Sequence, residues 1–314
     1  LVTVNTAYKR FELEYLLRQS DSSTLITMQG LKDSNYIQHI TEICPEIAGS
    51  KPGELCSEAL PRLKRIIYLD EQTPDGMLNW KQLDAFAEQV SDEQLAQAKA
   101  QVDIHDVANM QYTSGTTGFP KGVMLTHSNI VNDGKIIGDR MDLSTADRMM
   151  IQVPMFHCFG MVLSMTSMMT HGGTLSPIPY FSPKSSLACI TSEHITCFNG
   201  VPTMFIAMFN HADFAKTDFS YIRTGIMAGA NCPPDLMRRA AAEMNMKEIV
   251  SVYGQTEAAP GCTMGEVNED LDHRVETVGS AFPGVECKII DPETGRELPD
   301  GENGEFVARG FNIM

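Results

Sequence analysis

The chain has 314 residues, of which 43% are hydrophobic and 20% charged. That is enough apolar mass for two domains or one large one, and it excludes a disordered chain. The formal net charge of −16 excludes a uniformly basic face for nucleic acid and adhesion to anionic lipid, so any polyphosphate must be held locally by loop amides, a lysine and a metal ion.

In chain order, strand and helix signals alternate. The opening Leu1-Val2-Thr3-Val4 is strand-like and lacks an initiator Met. Residues 11–18 read as a helix with Phe11, Tyr15 and Leu16 on one face. Residues 23–28 read as a strand, 31–61 as an irregular surface stretch, and 65–69 as a strand ended by the turn residues 70–76. Residues 83–102, rich in Ala, Gln and Glu, read as one exposed helix. Residues 107–111 read as a strand and 125–131 as the opening of a helix, with a Gly-rich turn between them. Beyond it, strands at 149–153, 174–178, 195–198, 224–227 and 248–253 alternate with helices at 160–170, 183–193, 204–210 and 233–244. From Gly279 the texture changes. Residues 285–290 and 305–309 alternate on either side of turn chemistry, which predicts an antiparallel hairpin in a small sheet or barrel. The chain closes on Phe311-Asn312-Ile313-Met314 without a terminating turn. Both ends read as cut, so targeting is not legible.

The β-α repetition points to parallel sheets covered by helices on both faces. Ligands of such sheets bind at the carboxyl ends of the strands. Val153-Pro154, Asn199-Gly200-Val201-Pro202, Ala228-Gly229-Ala230 and Tyr253-Gly254 fall there, and are expected to converge on one cleft with the Gly-rich turn. The 8 cysteines contain no Cys-x-x-Cys pair and read as reduced thiols of a cytoplasmic protein. The 8 histidines contain no His-x-x-x-His pair, which speaks against zinc. No transmembrane segment is expected: residues 161–169 are too short and too hydroxylated to span a bilayer.

The densest chemistry lies in Tyr112-Thr113-Ser114-Gly115-Thr116-Thr117-Gly118-Phe119-Pro120-Lys121-Gly122. Aligned backbone N–H groups and hydroxyls in such a turn hold phosphate without a large side chain. It is neither a Walker A loop nor a dinucleotide fingerprint, because it lacks Gly-Lys-Ser/Thr at the required spacing and Gly-x-Gly-x-x-Gly. The plainer alternative is a Ser/Thr-rich surface turn. Tyr253-Gly254-Gln255-Thr256-Glu257 is a second short run of the same character.

These two stretches, in this order, resemble the signatures of the AMP-forming adenylating enzymes, the superfamily of acyl-CoA synthetases, luciferases and peptide-synthetase adenylation domains. Ala228-Gly229-Ala230 and Gly304-Glu305-Phe306-Val307-Ala308-Arg309-Gly310 match two more, so the resemblance runs over essentially the whole chain. The fatty-acid–CoA ligase branch fits best. The resemblance implies an α/β fold with two helix-covered, mostly parallel β-sheet subdomains plus part of a small β barrel. They divide at 1–147, 148–266 and 267–314, with the C-terminal lid domain absent. It implies that a carboxylate attacks the α-phosphate of ATP, pyrophosphate leaves, and the acyl group passes to CoA. Two anions must then meet, so donors and positive charge have to offset their repulsion. Thr113, Ser114, Gly115, Thr116, Thr117 and Gly118 would hold the β- and γ-phosphates, and Lys121 the loop or the leaving group. Thr256 would touch the α-phosphate. Glu257, helped by Thr113, would hold Mg²⁺, a hard ion suited to oxygen ligands; its alternative reading is a helix-start carboxylate. Tyr253 would lie on the adenine face, with Gly229, Ala230 and Gly254 around it.

The segment Pro154-Met155-Phe156-His157-Cys158-Phe159-Gly160 carries no carboxylate where amino-acid-activating relatives carry an aspartate. A buried unpaired ammonium is costly, so an amino-acid substrate is disfavoured. By the same resemblance His157 stands near the reacting carboxylate; otherwise it is a core imidazole. The implied catalytic set is His157, Lys121, Thr256 and Glu257. The implied substrate lining is Phe156, His157, Gly160, Val201, Met204, Ala228, Gly229 and Gly254. Met161, Met165, Met168, Met169, Met204, Met208 and Met227 suit an alkyl chain, or are plain core. The expectation is activation of a medium- or long-chain fatty acid with ATP, Mg²⁺ and CoA. Aryl or hydroxycinnamic acids are the alternative within the superfamily, and a nucleotide-binding module without catalysis is the alternative outside it. Partners are small molecules, with a homodimer as the one assembly considered. The superfamily's ribose-binding aspartate and lid lysine fall past Arg309-Gly310, so this stretch alone is expected to form little or no adenylate.

Overall fold

The computed structural model describes residues 1–114 and 118–314. Gly115, Thr116 and Thr117, three of the expected phosphate ligands, lie outside the described residues. The chain divides into two compact units, one of Leu1–Asp106 with Tyr112–Gly122, the other of Val107–Gln111 with Val123–Met314. The helix His127–Arg140 falls in the second because it packs along the helical run at 158–170.

The first unit is built on a three-stranded parallel sheet ordered Thr24–Thr27, Arg65–Tyr68, Leu78–Asn79. Helix Arg10–Gln19 buries Leu13, Leu16 and Leu17, the i, i+3, i+4 stripe that one helical face presents. Phe11 does not share that face as expected; it is exposed, and with Tyr15 it meets Phe119 instead. Residues 31–61 are more regular than expected. They hold a small hairpin, a helix Tyr36–Ile43 and a 3-10 turn Pro45–Gly49. Asn35 starts that helix by accepting from the Gln38 N–H at 3.0 Å, an N-cap signal present in the sequence. The single helix expected at 83–102 is two, Gln82–Ala87 and Asp92–Ala100, because Ser91 and Gln94 form a capping box between them. Neither buries a residue. The strand expected at the start reduces to one bridge at Val2.

The second unit carries a five-stranded parallel sheet ordered Glu248–Val250, Thr224–Ile226, Cys197–Phe198, Arg148–Ile151, Thr174–Pro177. Met149 and Ile151 pack to one side with Ile130, Ile137 and Val162, and Met150 to the other with Leu187, Phe205 and Met237. A strand covered on both faces buries nearly every residue, as residues 149–151, Cys197–Phe198 and Thr224–Ile226 do, whereas the edge strand Thr174–Pro177 is partly exposed.

The expected strand at 248–253 breaks after Val250. Val252–Gly254 turns into a separate antiparallel sheet with Gly261–Met264 and Ser280–Ala281. The expected hairpin is present, with Val285–Ile290 antiparallel to Glu305–Gly310. No closed barrel forms among the described residues. Val107–Thr113 pairs with a strand the periodicity had not predicted, Lys121–Thr126. The Gly-rich turn therefore joins strand to strand. The helix waits until His127, behind a capping box of Thr126 and Asn129.

Candidate functional site at the carboxyl edge of the parallel sheet

Parallel strands send all their carboxyl ends to one edge. The segments leaving there are 152–157, 199–201, 227–230 and 251–256, which carry many of the residues singled out by sequence. Asn199 locks this edge. Its amide donates to Leu163 O and Ser164 Oγ, both at 3.0 Å, and its Oδ1 accepts from Ile226 N–H at 2.9 Å. Gln152 Nε2 donates to Asn199 O at 3.1 Å. The carbonyl and hydroxyl to which Asn199 donates belong to a π-helical stretch, Met161–Thr166, inside the run the sequence reads as one helix. Hydroxyls follow its wider turn: Ser164 Oγ donates to Phe159 O at 3.1 Å and Thr166 Oγ1 to Met161 O at 2.9 Å. Such widened turns occur often at functional sites.

His157 is the N-cap of that helical run. Its Nδ1 accepts the Phe159 N–H at 3.0 Å, so the neutral ring carries its proton on Nε2. The ring rim is exposed, yet the packing on its inner side holds its pKa below the usual imidazole value. Gly160 closes the turn, since a Cβ there would lie 2.4 Å from Pro154 O.

Thr256 is buried at the start of the 3-10 turn Thr256–Ala258, and its Oγ1 lies 3.7 Å from Cys158 Sγ. Cys158 Sγ in turn lies 3.6 Å from His157 Nδ1. Burial pushes the Cys158 thiol up to about 12, so it stays protonated. Gly254 must be glycine, because a Cβ would stand 1.8 Å from Pro260 O. Tyr253 is exposed, held edge-on by Phe306 with centroids 5.0 Å apart and planes at 85°. Gly229 has φ +81°, and a Cβ on it would lie 3.2 Å from Val201 Cγ1 and 3.7 Å from Phe159 Cε1. Gly229 and Ala230 are exposed, Ala228 is buried, and Phe156, Val201 and Met204 are half-buried.

Glu257 is half-buried and joins no ion pair among the described residues. Its carbonyl accepts from the Met314 N–H at 3.0 Å. Asn312 donates to Gly261 O at 2.7 Å and Asn129 to Phe311 O at 2.5 Å, so residues 311–314 are pinned beside this turn. Among the described residues there is no group of three or more His, Cys, Asp or Glu that could hold a metal. A cation at Glu257 would rest on one carboxylate, water and ligand phosphates, which is how Mg²⁺ binds and zinc does not.

In the first unit, the described part of the loop is tied to helix Arg10–Gln19. Phe119 stacks on Tyr15 at 5.3 Å, Tyr15 Oη donates to Pro120 O at 3.1 Å, and Tyr112 Oη to Leu16 O at 3.4 Å. Gly118 has φ +91°, where a side chain is strained. Thr113 is half-buried, and Ser114 and Lys121 are exposed.

His157 and Thr256 thus meet through Cys158, and Gly229 meets Val201. The methionines divide: Met161, Met168, Met208 and Met227 are core, Met165 and Met204 are half-buried, and Met169 is exposed. Sequence reasoning placed Asn199 at this edge without its hydrogen bonds, and gave no site role to Cys158, Phe306 or Tyr15. Cys158 was legible as the neighbour of His157; the others are joined to the site only by tertiary contacts.

A family model described as AMP-binding enzyme matches residues 1–314. "Putative acyl-CoA synthetase YngI" of Bacillus subtilis (strain 168) is 45% identical over 314 residues, covering 100% of this chain and 57% of that protein. "Medium-chain acyl-CoA ligase ACSF2, mitochondrial" of Rattus norvegicus is 37% identical over 319 residues, covering 100% of this chain and 52% of that protein. Among solved structures, the long-chain-fatty-acid-CoA ligase (FadD1) from Archaeoglobus fulgidus shares 27% identity, with a TM-score of 0.76 over 99% of this chain and 58% of that chain. The chain spans about half the length of the curated relatives it matches.

Proposed function

Because the chain belongs to the AMP-binding enzyme family, we propose that the whole protein activates a carboxylic acid with ATP and transfers the acyl group to CoA. A carboxylate oxygen attacks the α-phosphorus, the bond to pyrophosphate breaks, and acyl-adenylate forms. The CoA thiol then attacks the acyl carbon and AMP leaves.

The observation that carries the reading is the His157–Cys158–Thr256 line at the carboxyl edge of the sheet. It sets a neutral imidazole with its proton on Nε2 close to a hydroxyl, with no carboxylate in the segment 154–160. Two anions that must react need donors of this kind, already oriented. In this reading Thr256 donates to the α-phosphate and His157 Nε2–H to the carboxylate. Tyr253 offers adenine its ring face, and Gly229 and Ala230 leave room beside it. Thr113, Ser114 and Lys121 serve the β- and γ-phosphates, together with Gly115, Thr116 and Thr117. Mg²⁺ would supply neutralisation of phosphate charge, with Glu257 and Thr113 as its protein ligands. Glu257 fits that role as a half-buried carboxylate in no ion pair.

A medium- or long-chain fatty acid is the proposed substrate. The rat relative's name states a medium-chain acyl group and the Archaeoglobus protein's a long-chain fatty acid. The division into subdomains at 1–147, 148–266 and 267–314 belongs to the same proposal. So does cytoplasmic residence, which the free state of every described cysteine supports. Among the described residues no helix is long and apolar enough to cross a membrane. The test is a pyrophosphate-exchange screen of the whole protein against fatty acids of graded length, aryl acids and amino acids. Exchange is expected with medium or long fatty acids, and exchange restricted to aryl or amino acids would refute the substrate assignment.

A further inference from the structure

Cys158 is the buried group at this edge that the reaction leaves without a part. It is 2% exposed, and its sulfur stands between the imidazole nitrogen of His157 and the hydroxyl of Thr256. A thiol has one proton to donate and accepts only weakly. Burial keeps that proton in place, and the nearby Asp133 carboxyl, the ionisable group facing it from helix His127–Arg140, acts in the same direction. One S–H therefore faces two acceptors. In one arrangement the Thr256 O–H donates to sulfur and the S–H donates to His157 Nδ1. In the other the Thr256 O–H turns outward to an anion, and the S–H donates to Thr256 Oγ1 in its place. His157 Nδ1 then keeps only the Phe159 N–H.

We propose that Cys158 is a positioning residue that couples the His157 ring to the Thr256 hydroxyl, moving its S–H bond from Nδ1 to Oγ1 when an anion takes the hydroxyl's hydrogen bond. No covalent bond changes; two hydrogen bonds exchange partners. The consequence deepens the adenylation reading, because it rests on Thr256 as the α-phosphate ligand: the phosphate site and the carboxylate site then sense each other through one sulfur. The ligand-free half of the coupling stands without that reading.

Two substitutions separate hydrogen bonding from packing. Cys158→Ser keeps a donor and changes size, whereas Cys158→Val keeps an apolar filling and removes the donor. The probe is the ¹⁵N resonance pair of His157 in ¹⁵N-histidine protein, identified by its loss in His157→Gln. Without ligand, Cys158→Val is expected to shift Nδ1 away from its wild-type position, with the Phe159 N–H as its remaining donor, and Cys158→Ser to leave it near the wild-type position. With ATP and Mg²⁺, the Nδ1 resonance should move in wild type and in Cys158→Ser, and stay in Cys158→Val. In pyrophosphate exchange, Cys158→Val should lose about threefold to tenfold in kcat/KM for ATP, the range of one hydrogen bond, with recovery in Cys158→Ser. The proposal is overturned if Cys158→Val leaves the ligand-free Nδ1 resonance unmoved, or if Cys158→Ser behaves as Cys158→Val does. A wild-type protein that shows no response to ATP sinks the adenylation reading instead, and the ligand-free comparison still decides the coupling.

Discussion

Asp133 is a fully buried carboxyl on helix His127–Arg140, with the Gly261 N–H donating to its Oδ2 at 3.0 Å and, among the described residues, no hydrogen-bond partner for Oδ1. Burial holds its pKa well above the ordinary 3.8. A carboxyl raised in the folded state contributes stability below its unfolded pKa and loses it as pH rises through the folded one. Asp133→Asn, which keeps the acceptor and cannot ionise, should therefore raise Tm at neutral pH. The gain should shrink steadily as pH falls towards 4, and a gain independent of pH would contradict this account. Gly254 carries a steric demand instead: Gly254→Ala drives a Cβ into Pro260 O and should cost about 1–3 kcal/mol in urea unfolding, as overpacking does. Thr256 and Glu257 were legible in the sequence because their motif is local and ordered. Asp133 was not, because a charge inside a helix reads as solvent-facing until the strand at Gly261 is placed over it.

At the scale of elements, the π-helical stretch Met161–Thr166 and the strand ends are joined by one amide. Asn199→Ala strips Leu163 O, Ser164 Oγ and Ile226 N–H of a partner in the interior. Ser164 Oγ keeps Phe159 O and Leu163 O keeps the Ser167 hydroxyl, whereas the Ile226 N–H is left unmade, so a loss of about 1–3 kcal/mol is expected, read as a lower urea midpoint at unchanged slope. The central parallel strands were legible because burial on both faces leaves apolar runs such as residues 149–151 and Cys197–Phe198. Lys121–Thr126 was not, because a short strand beginning with Lys and Gly carries only Val123 and Leu125 as its buried alternation. The split of 248–253 was equally hidden. Nothing in a run of β-formers marks where a strand leaves one sheet for another.

At the scale of the whole molecule, the parallel sheet of the second unit holds an ion-pair network at one edge and the candidate site at the other. At the amino ends, Arg223 binds Asp147 at 2.8 Å and Glu248 at 2.6 Å, and also the carbonyls of Met141 and Asp142. The side chain of Asp147 is 4% exposed, so Arg223→Met leaves a buried charge unpaired, a loss of about 3–5 kcal/mol. The same variant should leave the dissociation constant for ATP within about twofold below its melting range, because its contacts lie at the edge opposite His157 and Thr256. A large loss of ATP binding in folded protein would show that the two edges are not separable. In the proposed function the carboxyl edge serves the chemistry, with a carboxylate attacking the α-phosphorus. The direct measurement supplies the whole protein with fatty acid labelled with ¹⁸O in both carboxyl oxygens, ATP, Mg²⁺ and CoA, and reads the products by mass spectrometry. Adenylation predicts one ¹⁸O in AMP and none in pyrophosphate; label in inorganic phosphate, with ADP as the nucleotide product, would contradict it.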